Sequence, residues 1–109
     1  MQKLQIVLDD EKVLREHRFS LAKMESAVDS VCVDRYGLVK GADGFYFDGG
    51  RQGAYVDFMS AILALKDQSW FLDNVKTWLW FNRDDSSDPD DFAIEDVKRH
   101  YGSAAPAFA

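Results

Sequence analysis

Hydrophobic and polar residues alternate along this chain with two different periods, and the switches between them outline its elements. Leu4, Ile6 and Leu8 alternate with Lys3, Gln5 and Val7, which predicts a short N-terminal strand, although Val7 blurs the alternation. Asp9-Asp10-Glu11 starts a short helix through about His17, with acids near the positive end of the dipole. Ser20 caps a longer helix from Leu21 to about Tyr36. Along it Leu21, Met24, Val28, Val31, Cys32 and Arg35 or Tyr36 recur at helical spacing, and Gly37 stops it.

The period then changes. Leu38-Val39-Lys40, the turn 41–44 with a glycine at each end, and Phe45-Tyr46-Phe47 read as a β-hairpin closed by Asp48-Gly49-Gly50. A helix from about Ala54 to Leu65 follows, with Tyr55, Phe58, Met59, Ile62, Leu63 and Leu65 expected to pack inward. Ser69 caps a short helix through Asn74 or continues the previous one after a break. Val75–Asn82 is ambiguous: Trp78, Trp80 and Phe81 favour a strand, yet a continuous helix over 69–81 also fits. As a strand it is apolar on both sides, with Trp78 and Trp80 on one face and Thr77, Leu79 and Phe81 on the other. Leu79 and Phe81 are expected in the core. Of the two tryptophans, one is expected there and one at an interface.

The last helix is expected from an Asp88 N-cap and Pro89 at its first position, through Asp90-Asp91, to Gly102. Phe92, Val97 and Tyr101 form its buried stripe, and the small, uncharged residues 103–109 are a flexible tail. Together these elements predict a single α+β domain over 1–102, with three or four helices packed on a small, mainly antiparallel sheet.

Composition agrees. A chain of 109 residues that is 47% hydrophobic and 14% aromatic suits one domain with a sizeable core. The N-terminus lacks a secretory pattern, no apolar run approaches the roughly 20 residues of a membrane span, and the lone Cys32 fits a reducing compartment. A cytoplasmic location is the expectation.

Charge changes the picture more. The run from Asp84 to Asp96, DDSSDPDDFAIED, holds seven carboxylates and no Lys or Arg, while the other 96 residues carry 12 acids against 13 bases. The net charge of −6 therefore comes from one place, beside the aromatic run Trp78-Leu79-Trp80-Phe81. Such a cluster suits a cationic partner. It does not suit nonspecific nucleic-acid binding, which needs surplus Lys and Arg to displace counterions. Part of the cluster has a structural reading, because Asp88, Asp90 and Asp91 would serve a helix N-terminus. The candidate partner-binding residues are Asp84, Asp85, Asp88, Asp91, Glu95, Trp78 and Trp80.

Catalytic and metal chemistry find little here. Counted from Asp84, the acidic run matches an EF-hand loop at positions one, three, five and twelve (Asp84, Ser86, Asp88, Glu95). Position six is Pro89, which cannot adopt the positive φ that the turn requires. Cys32 lies on the inward side of a helix and reads as a packed thiol. His17 and His100 belong to no metal-ligand spacing, and the glycines match no phosphate-cradling pattern. A protein without catalytic activity, metal or cofactor is expected.

In size and character, with Asp84-Asp85, Asp88, Asp90-Asp91 and Glu95-Asp96 beside Trp78 and Trp80, the chain resembles the immunity proteins of bacterial toxin–immunity pairs, including those of contact-dependent growth inhibition. The resemblance is to that functional class and rests on no family motif. It implies tight binding to a basic toxin domain, a nuclease for example, by carboxylates placed where substrate phosphates would sit. Two other classes remain open. A phage-type inhibitor of host defence would imitate nucleic acid with negative charge spread over an extended face. A non-catalytic subunit of an oligomer would show an exposed apolar patch with its charges elsewhere.

Overall fold

The computed structural model describes residues 2–49, 54–82 and 93–102. Strand β1 (Lys3–Leu8) is the centre of a five-stranded antiparallel sheet of order β2-β3-β1-β4-β5, formed with β2 (Val39–Lys40), β3 (Phe45–Phe47), β4 (Val75–Asn82) and β5 (Ala93–Asp96). Around it are α1 (Asp10–Glu16), α2 (Leu21–Asp29), a π-helical continuation of α2 over Ser30–Arg35, α3 (Ala54–Lys66), α4 (Ser69–Leu72) and α5 (Val97–Gly102). The architecture is α+β, as the period switches imply. The two shortest helices bring the number described to five, above the three or four expected.

Local chemistry explains most boundaries. Asp9 caps α1 by accepting the Lys12 N–H at 3.2 Å, and His17 ends it in the left-handed region. Ser20 caps α2 from the Lys23 N–H. The expected helix to Tyr36 is continuous in space, but past Asp29 it widens. The Tyr36 N–H donates to the Val31 carbonyl five residues back, and Gly37 (φ 73°) then turns the chain into β2. The hairpin forms with Val39 opposite Phe47 and Lys40 opposite Tyr46. Its turn closes through Gly44 (φ 80°), where an added Cβ would lie 2.4 Å from the Ile6 carbonyl oxygen.

Val75–Asn82 is a strand, paired along its length with β1. The inner face of the sheet is Leu4, Ile6 and Leu8 of β1, Tyr46 of β3, and Trp78 and Trp80 of β4, all buried. Against it pack Val13 of α1, Met24 and Val28 of α2, Cys32, Phe58, Ala61, Ile62 and Leu65 of α3, Phe71 of α4 and Val97 of α5. On α3 the buried residues are one helical stripe through positions 58, 61, 62 and 65. Tyr55 and Leu63, both expected inward, are 51% and 41% exposed, because Tyr55 lies at the margin of that stripe and Leu63 on the far side of the helix.

The expected helix from Asp88 to Gly102 is the main correction. Residues 93–96 are the edge strand β5, and the helix begins only at Val97, where Asp96 accepts the Arg99 N–H at 3.0 Å. Pairing of Ala93–Asp96 with Leu79–Asn82 gives β4 a hydrogen-bonded neighbour on its second side, which a helix over the same residues could not do. Asp88 and Pro89 themselves, and the tail 103–109, lie outside the described residues.

Candidate functional site on the second face of the sheet

The two tryptophans do not divide between core and interface. Trp78 and Trp80 are 0% and 2% exposed. Register decides this: Trp78 is the direct partner of Ile6 and Trp80 of Leu4, so both indoles share the face on which the helices pack. The Trp78 ring meets Phe71 edge-on at 4.8 Å and Tyr101 at 6.2 Å, while Trp80 lies 5.1 Å from Tyr55 and 6.3 Å from Phe58. The Trp80 indole N–H donates to Gln2 Oε1 at 3.2 Å. The Trp78 indole N–H is buried without an acceptor among the described residues, a cost that the burial of its rings must exceed. Neither side chain offers surface to a partner in this structure.

Leu79 and Phe81, expected in the core, belong to the opposite face. That face is made by Val39, Phe45 and Phe47 of the hairpin, Lys3, Gln5 and Val7 of β1, Thr77, Leu79 and Phe81 of β4, and Ile94 and Asp96 of β5. None of these residues is buried: the central ones are half-buried, and Val39 and Ile94 at the two edges are 53% and 60% exposed. The described helices all contribute their buried side chains to the other side. Within the face Phe45 stacks on Phe47 at 6.1 Å and meets Phe81 at 5.9 Å, and the Lys3 ammonium lies 5.0 and 4.9 Å from the Phe45 and Phe81 ring centres. The result is an aromatic band running across the sheet towards β5.

The acidic candidates separate. Glu95 is exposed on β5, directly opposite Trp80, and Asp96 is exposed beside it. Register puts Glu95 on the helix-packed side with Trp80 and Asp96 on the side of the band with Leu79, so of the two only Asp96 stands where the band ends, and it is also engaged as the cap of α5. Asp84, Asp85, Asp88 and Asp91 lie outside the described residues, within the connection from β4 to β5.

A second polar centre, which the sequence did not announce, sits between α2 and the hairpin. The Tyr46 hydroxyl donates to Asp29 Oδ1 at 2.5 Å, and the Lys40 ammonium pairs with Asp29 Oδ2 at 2.7 Å. Burial first, then the hydrogen bond to Asp29, raises the ionisation of the Tyr46 phenol above its ordinary range. Nearby, burial and secondarily the Asp29 charge push the Cys32 thiol up to about 12, so it stays protonated and unreactive at neutral pH. Asp29 sits in a helix with no motif around it, so only the three-dimensional pairing of Lys40 with Tyr46 across the hairpin could reveal this centre.

Among the described residues no group of three or more His, Cys, Asp or Glu side chains is placed to hold a metal, and no helix is long and apolar enough to cross a membrane. No protein-family model matches the chain, and comparison with curated proteins yields no match.

Proposed function

We propose that the protein acts by binding another protein: it is an immunity-type inhibitor that neutralises a basic toxin domain. The observation that supports this reading most is the aromatic face of the sheet ending at the edge strand β5, where Asp96 shares that face and closes the acidic run that begins at Asp84. Apolar side chains flanked by charge match the usual anatomy of a protein interface, with a desolvated aromatic centre and a polar rim. In this reading Phe45, Phe47 and Phe81 supply buried area. The carboxylates at Asp84, Asp85, Asp88, Asp91 and Glu95 steer a cationic partner and occupy the positions of its substrate phosphates. Trp78 and Trp80 support the face from beneath.

The same face supports a second reading, a non-catalytic subunit of an oligomer, because an exposed apolar patch is the mark of that class. The seven carboxylates of the run 84–96, which ends in the strand at the edge of the patch, favour the immunity reading over it.

The test is co-expression with the products of adjacent genes. A neighbouring product that arrests growth alone and is harmless with this chain is the expected result. Replacing Asp84, Asp85 and Asp91 by Asn and Glu95 by Gln should then slow complex formation and flatten its salt dependence. Rescue by the neutralised variant at the wild-type rate and with wild-type salt dependence, or no toxic neighbour to rescue from, rejects the reading. A stable dimer at micromolar concentration in sedimentation, lost with Phe81→Ser, would support the oligomer instead.

A further inference from the structure

On its β3 side β1 loses its partner early. The register ends at Gln5 opposite Phe45, and the last bond across this edge runs from the Ile6 N–H to the Gly44 carbonyl at 2.8 Å. Where the hairpin turns away, Val7 and Leu8 border a cavity of about 530 Å³ instead of a strand. That volume falls within the roughly 300–1,000 Å³ of small-ligand sites. Ile6, Leu8 and Val28 give it an apolar lining. Around them stand four carboxylates, Asp10 of α1, Glu25 and Asp29 of α2 and Asp43 of the turn, against one ammonium, that of Lys40.

We propose that this cavity binds a primary ammonium or guanidinium carried on an apolar stem. Lys40 shows what the site accepts: its ammonium lies 2.7 Å from Asp29 Oδ2 at the end of an aliphatic chain. It is a loose occupant, because the Lys40 side chain is 54% exposed and Asp29 keeps 33% exposure of its own. The receiving carboxylate is held in place, since the buried Tyr46 donates its hydroxyl to the other oxygen of Asp29 at 2.5 Å. Glu25 precedes Asp29 by one helical turn and so shares its side of α2. An incoming cation displaces Lys40 into solvent and gains the surplus carboxylates, while its stem takes the place of the Lys40 methylenes beside the half-buried Val7. An anion meets net repulsion, and a neutral apolar molecule would strip water from carboxylates without compensation. The ligand chemistry has two sources, a free aliphatic amine or the Lys or Arg side chain of another protein. None of the lining residues belongs to β4, β5 or the acidic run, so the proposal stands apart from the toxin-binding reading.

Amide-resolved NMR titration at low salt tests it, with n-butylammonium, cadaverine and N-acetyl-lysine N-methylamide as ligands and n-butanol as the neutral control. The expected result is saturable shifts at Ile6, Val7, Leu8, Asp29 and Gly44 for the cations and none for butanol. Glu25→Gln should weaken binding by roughly threefold to fivefold. Lys40→Met should tighten it by a similar factor, roughly threefold to fivefold, because the resident ammonium is gone. Tighter binding of the lysine amide assigns the site to a protein side chain, and tighter binding of cadaverine assigns it to a free amine. Absence of saturable shifts at these amides, or a Lys40→Met variant that binds the cations no better than the parent, overturns the proposal.

Discussion

Trp80 and Phe81 are neighbours in sequence with similar apolar bulk, yet the sheet sends them to opposite faces, so truncating each should have very different consequences. Trp80 is 2% exposed, touches the rings of Tyr55 and Phe58, and donates a hydrogen bond to Gln2. Removing a buried Trp side chain down to Ala costs about 3–5 kcal/mol in cavity and transfer terms. Phe81 is half-buried between Phe45 and Lys3. Half the benefit of a fully buried Phe is about 1 kcal/mol, and the lost cation–π contact adds about 0.5–1 kcal/mol. Phe81→Ala should therefore cost about 1–2 kcal/mol, leaving a gap of about 2–3 kcal/mol between the variants. At about 4–8 °C per kcal/mol for a domain near this size, the melting temperatures should separate by at least about 8 °C. Urea denaturation followed by far-ultraviolet circular dichroism measures both. Trp80→Ala consumes much of the roughly 5–15 kcal/mol available to such a domain, so Trp80→Phe provides a folded intermediate point. Equal destabilisation by Trp80→Ala and Phe81→Ala would mean that the second face is as well covered as the first, and the reasoning for a partner surface there would fail.

Further outcomes follow from the same geometry. In a Trp70→Phe background the remaining tryptophan emission should be blue-shifted and resistant to iodide, whereas red-shifted, quenchable emission would place an indole at the surface against the burial of Trp78 and Trp80. Asp96→Ala should cost about 0.5–2 kcal/mol by removing the cap of α5, while Asp88→Ala, if it caps no helix, should cost less; the reverse order in urea melts would restore a helix start at Asp88. Stability should fall above about pH 9. There the unfolded chain releases the Cys32 proton and then the Tyr46 proton, whereas the native state, with both groups raised, retains them, so unfolding gains about 1.4 kcal/mol per pH unit for each group. Cys32→Ala and Tyr46→Phe should each flatten that slope, and an unchanged slope would contradict the burial assigned to these groups. Gly44→Ala should cost about 1–3 kcal/mol, from its positive φ and the approach of a new Cβ to the Ile6 carbonyl, and near-neutral melting would show that the hairpin turn is not tied to β1.

How far the fold could be read from sequence depended on where the information lay. Caps and stops are local, so Asp9, Ser20 and Gly37 announced their boundaries and the structure follows them. The final helix misled because Asp88-Pro89-Asp90-Asp91 is a strong local helix-start signal, while the strand at 93–96 depends on a nonlocal fact: β4 has an open edge that Ala93–Asp96 can pair. Propensity loses to a ladder of backbone hydrogen bonds when a neighbouring strand is available.

The inversion of β4 has the same cause and matters more for function. A strand apolar on both sides does not say which side meets the helices. The answer lies in β1, whose Leu4, Ile6 and Leu8 are buried while Lys3, Gln5 and Val7 are not. Once Trp80 pairs with Leu4 and Phe81 with Lys3, the tryptophans must join the core and Phe81 must turn outward beside an ammonium. A one-residue slip in that register would move both indoles to the side of Lys3 and Gln5 and bring Leu79 and Phe81 under the helices. The half-polar strand β1 thus sorts the aromatics of β4. An aromatic face towards a partner arises here because β4 carries more large apolar side chains than one core face can take, and the surplus lands on the side that β1 marks with Lys3 and Gln5.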